Sequence, residues 1–208
     1  MNYLAIDTSG SYMCLVAKKG EKTYSSFLPD CTMKHSVLLM QKVEELLALA
    51  DMQISDFDCF AAVVGAGSFT GIRIGISAAK GFSLACNKPT LPITSFDTLA
   101  YNTLEQTGKV LCLIDALHDS YYACGYQGGE VVLSPCYLSE AEVLSLHGEG
   151  YELIAGEPLP IAQKAEVRVV SVEDGLKNAL EKRASEGAFA PLQALYVRKS
   201  SAELNVCK

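Results

Sequence analysis

The chain opens on a short apolar run, Leu4-Ala5-Ile6, closed by Asp7, a pattern that predicts a buried strand ending in a carboxylate. A second strand over 11–17 and a third over 23–27 follow, joined by the polar turn Lys19-Gly20-Glu21-Lys22. The same succession returns in the middle of the chain. Cys112-Leu113-Ile114 closes on Asp115, a strand follows over 121–126, and the turn Gln127-Gly128-Gly129-Glu130 leads to a strand over 131–134. Asp7 precedes Gly20 by 13 positions and Asp115 precedes Gly128 by 13, and the two copies lie 108 positions apart. Two matched strand–Asp–hairpin units predict an α/β fold that is duplicated, with two similar lobes.

Apolar residues at helical spacing predict helices over 36–50 and 70–86, and one over 96–106 with Ser95 as N-cap. In the second half Ser139 is placed to cap a helix with Glu142 completing a capping box, and another helix is predicted over 173–185. Strands over 60–64, 88–94 and 151–155 complete the count. Gly108-Lys109 marks the boundary, giving an N-terminal lobe of 1–108 and a C-terminal lobe of 109–208.

Composition narrows the function classes. No basic segment followed by an apolar stretch opens the chain and no apolar run is long enough to cross a bilayer, so a cytoplasmic protein without a membrane role is expected. Net charge is −7 with no dense basic cluster, which excludes a stand-alone tRNA or DNA binder, because such affinity rests on Lys and Arg displacing counterions. None of the eight cysteines forms a C-x-x-C pair and most sit in apolar runs, so they read as buried thiols.

Candidate chemistry centres on two loops. Asp7 is followed by the small-residue turn Thr8-Ser9-Gly10-Ser11, the arrangement in which actin-like ATPases and sugar kinases hold phosphate and Mg²⁺. The other reading is a strand end with a polar turn. In the second copy Leu117-His118 replaces a Gly/Thr-rich turn, so Asp7, Thr8, Ser9 and Ser11 are at most a vestigial phosphate loop.

The second loop, Gly65-Ala66-Gly67-Ser68-Phe69-Thr70-Gly71-Ile72-Arg73-Ile74-Gly75, joins a strand to a helix start as phosphate cradles do. It matches neither the P-loop, which needs Lys-Ser/Thr after its last glycine, nor the dinucleotide fingerprint. Ser68 is not in a G-x-S-x-G elbow and has no evident His–Asp pair. His35 faces Cys31 and Leu39 at helical spacing, with no second histidine, so no metal site and no catalytic residue is expected. Gly71, Gly75 and Ala79 form a small-residue stripe, with Ile72 and Ile76 beside it, and the helix over 36–50 has a wide apolar face including Leu39 and Val43. Such a stripe admits a close backbone, either within the lobe core or from another subunit. The excess of apolar and small positions favours the subunit interface.

The motifs Leu4-Ala5-Ile6-Asp7-Thr8-Ser9, the glycine run 65–75 and Leu113-Ile114-Asp115-Ala116 resemble those of the TsaB (YeaZ) family. His35-Ser36, the segment 94–99 and Leu195-Tyr196-Val197-Arg198 extend the resemblance along the chain. It implies an actin-like (ASKHA, ribonuclease H-like) duplicated fold. It also implies a non-catalytic dimerisation subunit of the bacterial complex that makes threonylcarbamoyladenosine at position 37 of tRNA. In that complex the subunit pairs with the catalytic TsaD through helices of its first lobe, and the ATPase TsaE joins the pair. Carried onto this chain, the interface would comprise His35, Leu39, Val43, Gly71, Ile72, Gly75, Ile76 and Ala79. No cofactor would be required beyond weak binding of ATP or ADP, tRNA would be met only through the complex, and the chain alone would form a homodimer. Ala66 stands where the family usually has Pro, and Leu117 where an Arg often follows Ile-Asp-Ala. Two alternatives stay open: an autonomous ATP-binding phosphotransferase, supported only by Asp7 and its turn, and a metal-dependent glycoprotease-like peptidase.

Overall fold

The computed structural model describes residues 1–103 and 107–198. Its elements, in chain order, are β1 (Tyr3–Asp7), β2 (Met13–Lys19), β3 (Lys22–Leu28), α1 (His35–Ala50), β4 (Cys59–Val63), α2 (Phe69–Cys86), β5 (Thr90–Ile93) and α3 (Ser95–Ala100). Then follow β6 (Lys109–Asp115), β7 (Ser120–Gln127), β8 (Glu130–Ser139), α4 (Glu140–Gly148), β9 (Tyr151–Ala155), β10 (Val167–Val169) and α5 (Val172–Ser185). Two five-stranded sheets result, ordered β3-β2-β1-β4-β5 and β8-β7-β6-β9-β10. In each, the first three strands form an antiparallel meander and the last two run parallel to the first. The identical order is the duplication seen in the sequence, and the fold is two-lobed, α/β and actin-like. The copies diverge where the second has only a short 3₁₀ turn, Pro160–Gln163, in the place of α2.

Alternation along β1 divides the core. Leu4 and Ile6 face α1 and α2, packing with Leu39, Val43, Leu46, Ile72, Ile76 and Ala79. Tyr3 and Ala5 face the opposite way, into a core shared by both sheets and by α3 and α5. Helix α5 can cross α3 closely because Gly175 lacks a Cβ that would lie 1.7 Å from the Thr98 carbonyl oxygen. Its outer turns are tied to the first sheet: Tyr3 Oη and Lys18 Nζ donate to Glu181 at 2.7 and 2.6 Å, and Ser25 Oγ donates to Glu173 at 2.5 Å.

Several boundaries differ from expectation. The N-cap of α3 is Thr94 rather than Ser95, because Asp97 stands three residues on and completes a capping box with both bonds at 3.0 Å. The helix predicted over 96–106 ends at Ala100. There Asn102 Nδ2 and Thr103 Oγ1 donate to the carbonyls of Thr98 and Ala100, an alternative to continuing the helix. Residues 104–106 of that prediction lie outside the described residues. Ser139 and Glu142 do form a capping box at α4. Strand β8 runs past 134 through Pro135, which an edge strand tolerates. Among the described residues, no helix is long and apolar enough to cross a membrane.

After α5 the chain turns back across the first lobe. Thr90 Oγ1 donates to the Ala190 carbonyl at 2.7 Å, Leu192 is fully buried in the α1–α2 core, and Leu195 N donates to the Val64 carbonyl at 2.7 Å.

Candidate functional site

A cleft of about 810 Å³ opens between the lobes. The turn after β1, the glycine loop before α2, the start of α3, the turn after β6 and the loop after β9 line it. All the residues of the predicted phosphate loop except Thr8 and the buried Asp7 touch this space, yet the loop is closed upon itself. Asp7 is 0% exposed, and its Oδ1 accepts from Ser9 N at 2.8 Å and from Ser9 Oγ at 2.7 Å. Tyr12 Oη donates to its Oδ2 at 3.2 Å. Burial lifts the Asp7 carboxyl above the usual carboxylate range, while the bonds from Ser9 and Tyr12 and the nearby His35 pull it down. Thr8 Oγ1 donates to the Gly71 carbonyl at 2.7 Å, and Ser68 N donates to the Ser9 carbonyl at 2.7 Å. Ser11 Oγ hydrogen-bonds across the cleft to Glu157.

The second copy of the turn is open. Asp115 is exposed and accepts only locally, from Leu117 N at 2.8 Å, and Leu117, His118 and Asp119 all have positive φ. Among the described residues that line the cleft, the charged side chains are Asp115 and Glu157, and none is Lys or Arg. This charge set repels nucleotide phosphates. Among the described residues no group of three or more His, Cys, Asp or Glu side chains is placed to hold a metal ion.

The glycine stripe lies where the sequence did not put it. A Cβ on Gly71 would sit 1.9 Å from the Thr8 carbonyl oxygen, and one on Gly75 would sit 2.7 Å from Thr8 Oγ1. The close-approaching backbone is that of β1 and its turn. Ala79, Ile72 and Ile76 are buried with it, as are Leu39 and Val43 of α1. His35, also buried, opens α1 and donates from Nε2 to the Tyr12 carbonyl at 2.8 Å. These eight residues thus build the lobe interior, a correction to their reading as contact residues. Other side chains of the same two helices face outward: Val37 is 76% exposed and Leu84 81%, with Met40 and Leu49 on α1 and Phe69 on α2 also exposed. The seven described cysteines are free thiols, five of them buried.

A family model described as TsaD, tRNA N6-adenosine threonylcarbamoyltransferase, matches residues 19–160. The chain belongs to this family. The curated protein "tRNA threonylcarbamoyladenosine biosynthesis protein TsaB" of Escherichia coli is 32% identical to it over 132 residues, 62% of this chain and 57% of that protein. TsaB of Bacillus subtilis is 31% identical over 127 residues, 61% of this chain and 56% of that protein. The matches span little more than half the length of these relatives. The resemblance to TsaB carried by the motifs is borne out. The crystal structure of YeaZ from Pseudomonas aeruginosa superposes with a TM-score of 0.73 at 22% identity, over 94% of this chain and 99% of that one. The two share the duplicated fold over that length.

Proposed function

We propose that this chain is a non-catalytic partner subunit of a transferase complex that makes threonylcarbamoyladenosine at position 37 of tRNA. It pairs with a TsaD-type catalytic subunit in the cytoplasm. The observation that carries this reading is the exposed apolar side chains of α1 and α2, Val37, Met40, Leu49, Phe69 and Leu84, on two helices that pack together in one lobe. Apolar surface of this kind marks a protein interface. The names of its TsaB relatives support the same assignment.

The cleft supports a non-catalytic role. Asp7 and Ser9 satisfy each other, Thr8 bonds to Gly71, and the groups left facing the space are carboxylates and hydroxyls. In this reading the chain needs no cofactor and binds ATP or ADP at most weakly. It reaches tRNA only through its partner, meets the ATPase TsaE in the assembled complex, and self-associates through the same apolar surface when alone. Co-expression with a TsaD homologue tests it. The two chains should co-elute as a stable complex, and the isolated chain should show no ATP hydrolysis and no peptidase activity. Separate elution, or hydrolysis abolished by Asp7→Ala, would contradict the reading.

A further inference from the structure

We infer that Arg73, held between Phe69 and Tyr196, is the anchor of the partner surface and takes a carboxylate of the partner. The inference rests on the partner reading above and names the chemistry of the contact. Helix α2 contains Arg73 and Lys80 and no acidic residue, in a chain of net charge −7. The guanidinium carbon of Arg73 lies 3.7 Å from the centre of the Phe69 ring and 5.8 Å from that of Tyr196. The two rings stack with their centres 5.2 Å apart. Arg73 Nε donates to Tyr196 Oη at 2.9 Å.

With Nε used and one face laid on Phe69, the two Nη groups form an end-on fork, and no carboxylate among the described residues pairs with Arg73. Of the other described arginines, Arg168 and Arg183 sit in ion pairs, and Arg198 rests on Tyr137. A guanidinium whose rotamers are already fixed by aromatic contacts loses little entropy on binding and presents matched geometry to one carboxylate. Apart from the exposed Lys80 the rim is apolar or small: Phe69 and Tyr196 are 42% and 44% exposed, and Ile74, Ser77, Ala78, Gly81 and Leu84 continue along the helix. An Arg among exposed aromatics is the composition of an interface hot spot. The occupant is therefore a helical or loop segment of the partner with an Asp or Glu set among apolar residues. Tyr196 is a positioning residue, and the tail segment that crosses the first lobe brings it there, so that the last described stretch of the chain helps build the surface of α2.

The test is the affinity of the full chain for its TsaD-type partner, measured for wild type, Arg73→Ala, Arg73→Lys and Tyr196→Phe at low and high salt. Arg73→Ala should weaken binding at least about tenfold, and Arg73→Lys nearly as much, since a point charge replaces the fork. Tyr196→Phe keeps the ring stack and loses the bond to Nε, and should weaken binding several-fold. Wild-type affinity should fall with salt more steeply than that of Arg73→Ala. The exposed side chains leave the fold intact, and matching thermal melts establish this. Wild-type binding with Arg73→Ala within twofold of it would overturn the anchor while leaving the partner reading in place. Wild type that fails to bind the partner at all would overturn both.

Discussion

The Cβ that Gly71 lacks would lie 1.9 Å from the carbonyl oxygen of Thr8. That distance joins the two loops singled out by the sequence, because Thr8 returns a hydrogen bond from Oγ1 to the Gly71 carbonyl at 2.7 Å. The start of α2 is thereby pressed onto the end of β1, and the glycines serve the interior of one lobe.

Gly71→Ala should accordingly damage folding. The added Cβ is fixed rigidly to the helix and the atom it meets is a backbone carbonyl oxygen, so relief requires the helix to move, at a cost of about 3 kcal/mol or more. Gly81 of the same helix has nothing within 4 Å of its would-be Cβ. Gly81→Ala should therefore stabilise by about 0.5–1 kcal/mol, the ordinary helix preference. Denaturant unfolding of both variants checks the contrast, and equal effects would contradict the packing.

The duplicated strands and the Asp at the end of each were legible because alternating apolar runs and turn residues carry a local signal. The destination of the glycine stripe was not. Gly71, Gly75 and Ala79 announce that a backbone approaches, but the residue pattern is the same whether that backbone is Thr8 or another molecule. The phosphate-loop residues had the right types, and only the geometry shows Ser9 folded back onto Asp7. The crossing of α3 by α5 at Gly175 and the return of Leu192 and Leu195 to the first lobe are long-range events without periodicity. An isolated apolar pair among Pro191, Gln193 and Ala194 gave no clear sign of them.

Asp7 gives a pH signature. Its carboxyl is raised by burial, so the folded state holds this proton more tightly than the unfolded chain does. The stabilisation linked to protonation is fully present below the ordinary value of 3.8 and is lost as pH rises through the raised one. Asp7→Asn keeps an oxygen to accept from Ser9 and removes the charge. The stability difference between wild type and Asp7→Asn should therefore move in favour of the variant as pH rises from acid toward neutral, by no more than about 1.4 kcal/mol per pH unit. A difference moving in favour of wild type would show a carboxylate stabilised in the fold.

Glu173 behaves in the opposite sense. The bond from Lys177, then that from Ser25, lowers its carboxyl below the ordinary 4.5, so its contribution is present above that value and is lost as pH falls through the lowered one. Because Ser25 belongs to β3 and Glu173 to α5, Glu173→Gln should loosen the attachment of α5 to the first sheet. Hydrogen exchange should report faster opening of α5 in that variant at neutral pH, with α1 unaffected, and uniform exchange would contradict the local clamp.

The exposed apolar side chains of α1 and α2 are proposed to serve a catalytic partner. The most direct measurement of this role is threonylcarbamoyladenosine formation on tRNA by the purified TsaD-type subunit and TsaE, with this chain added as wild type or as Leu84→Glu. Leu84 is 81% exposed, so the variant should fold as wild type does. Wild type should support product formation and Leu84→Glu should reduce it by about tenfold or more, since a charge is placed in an apolar contact. Full activity with Leu84→Glu, or equal activity with the chain left out, would contradict the account.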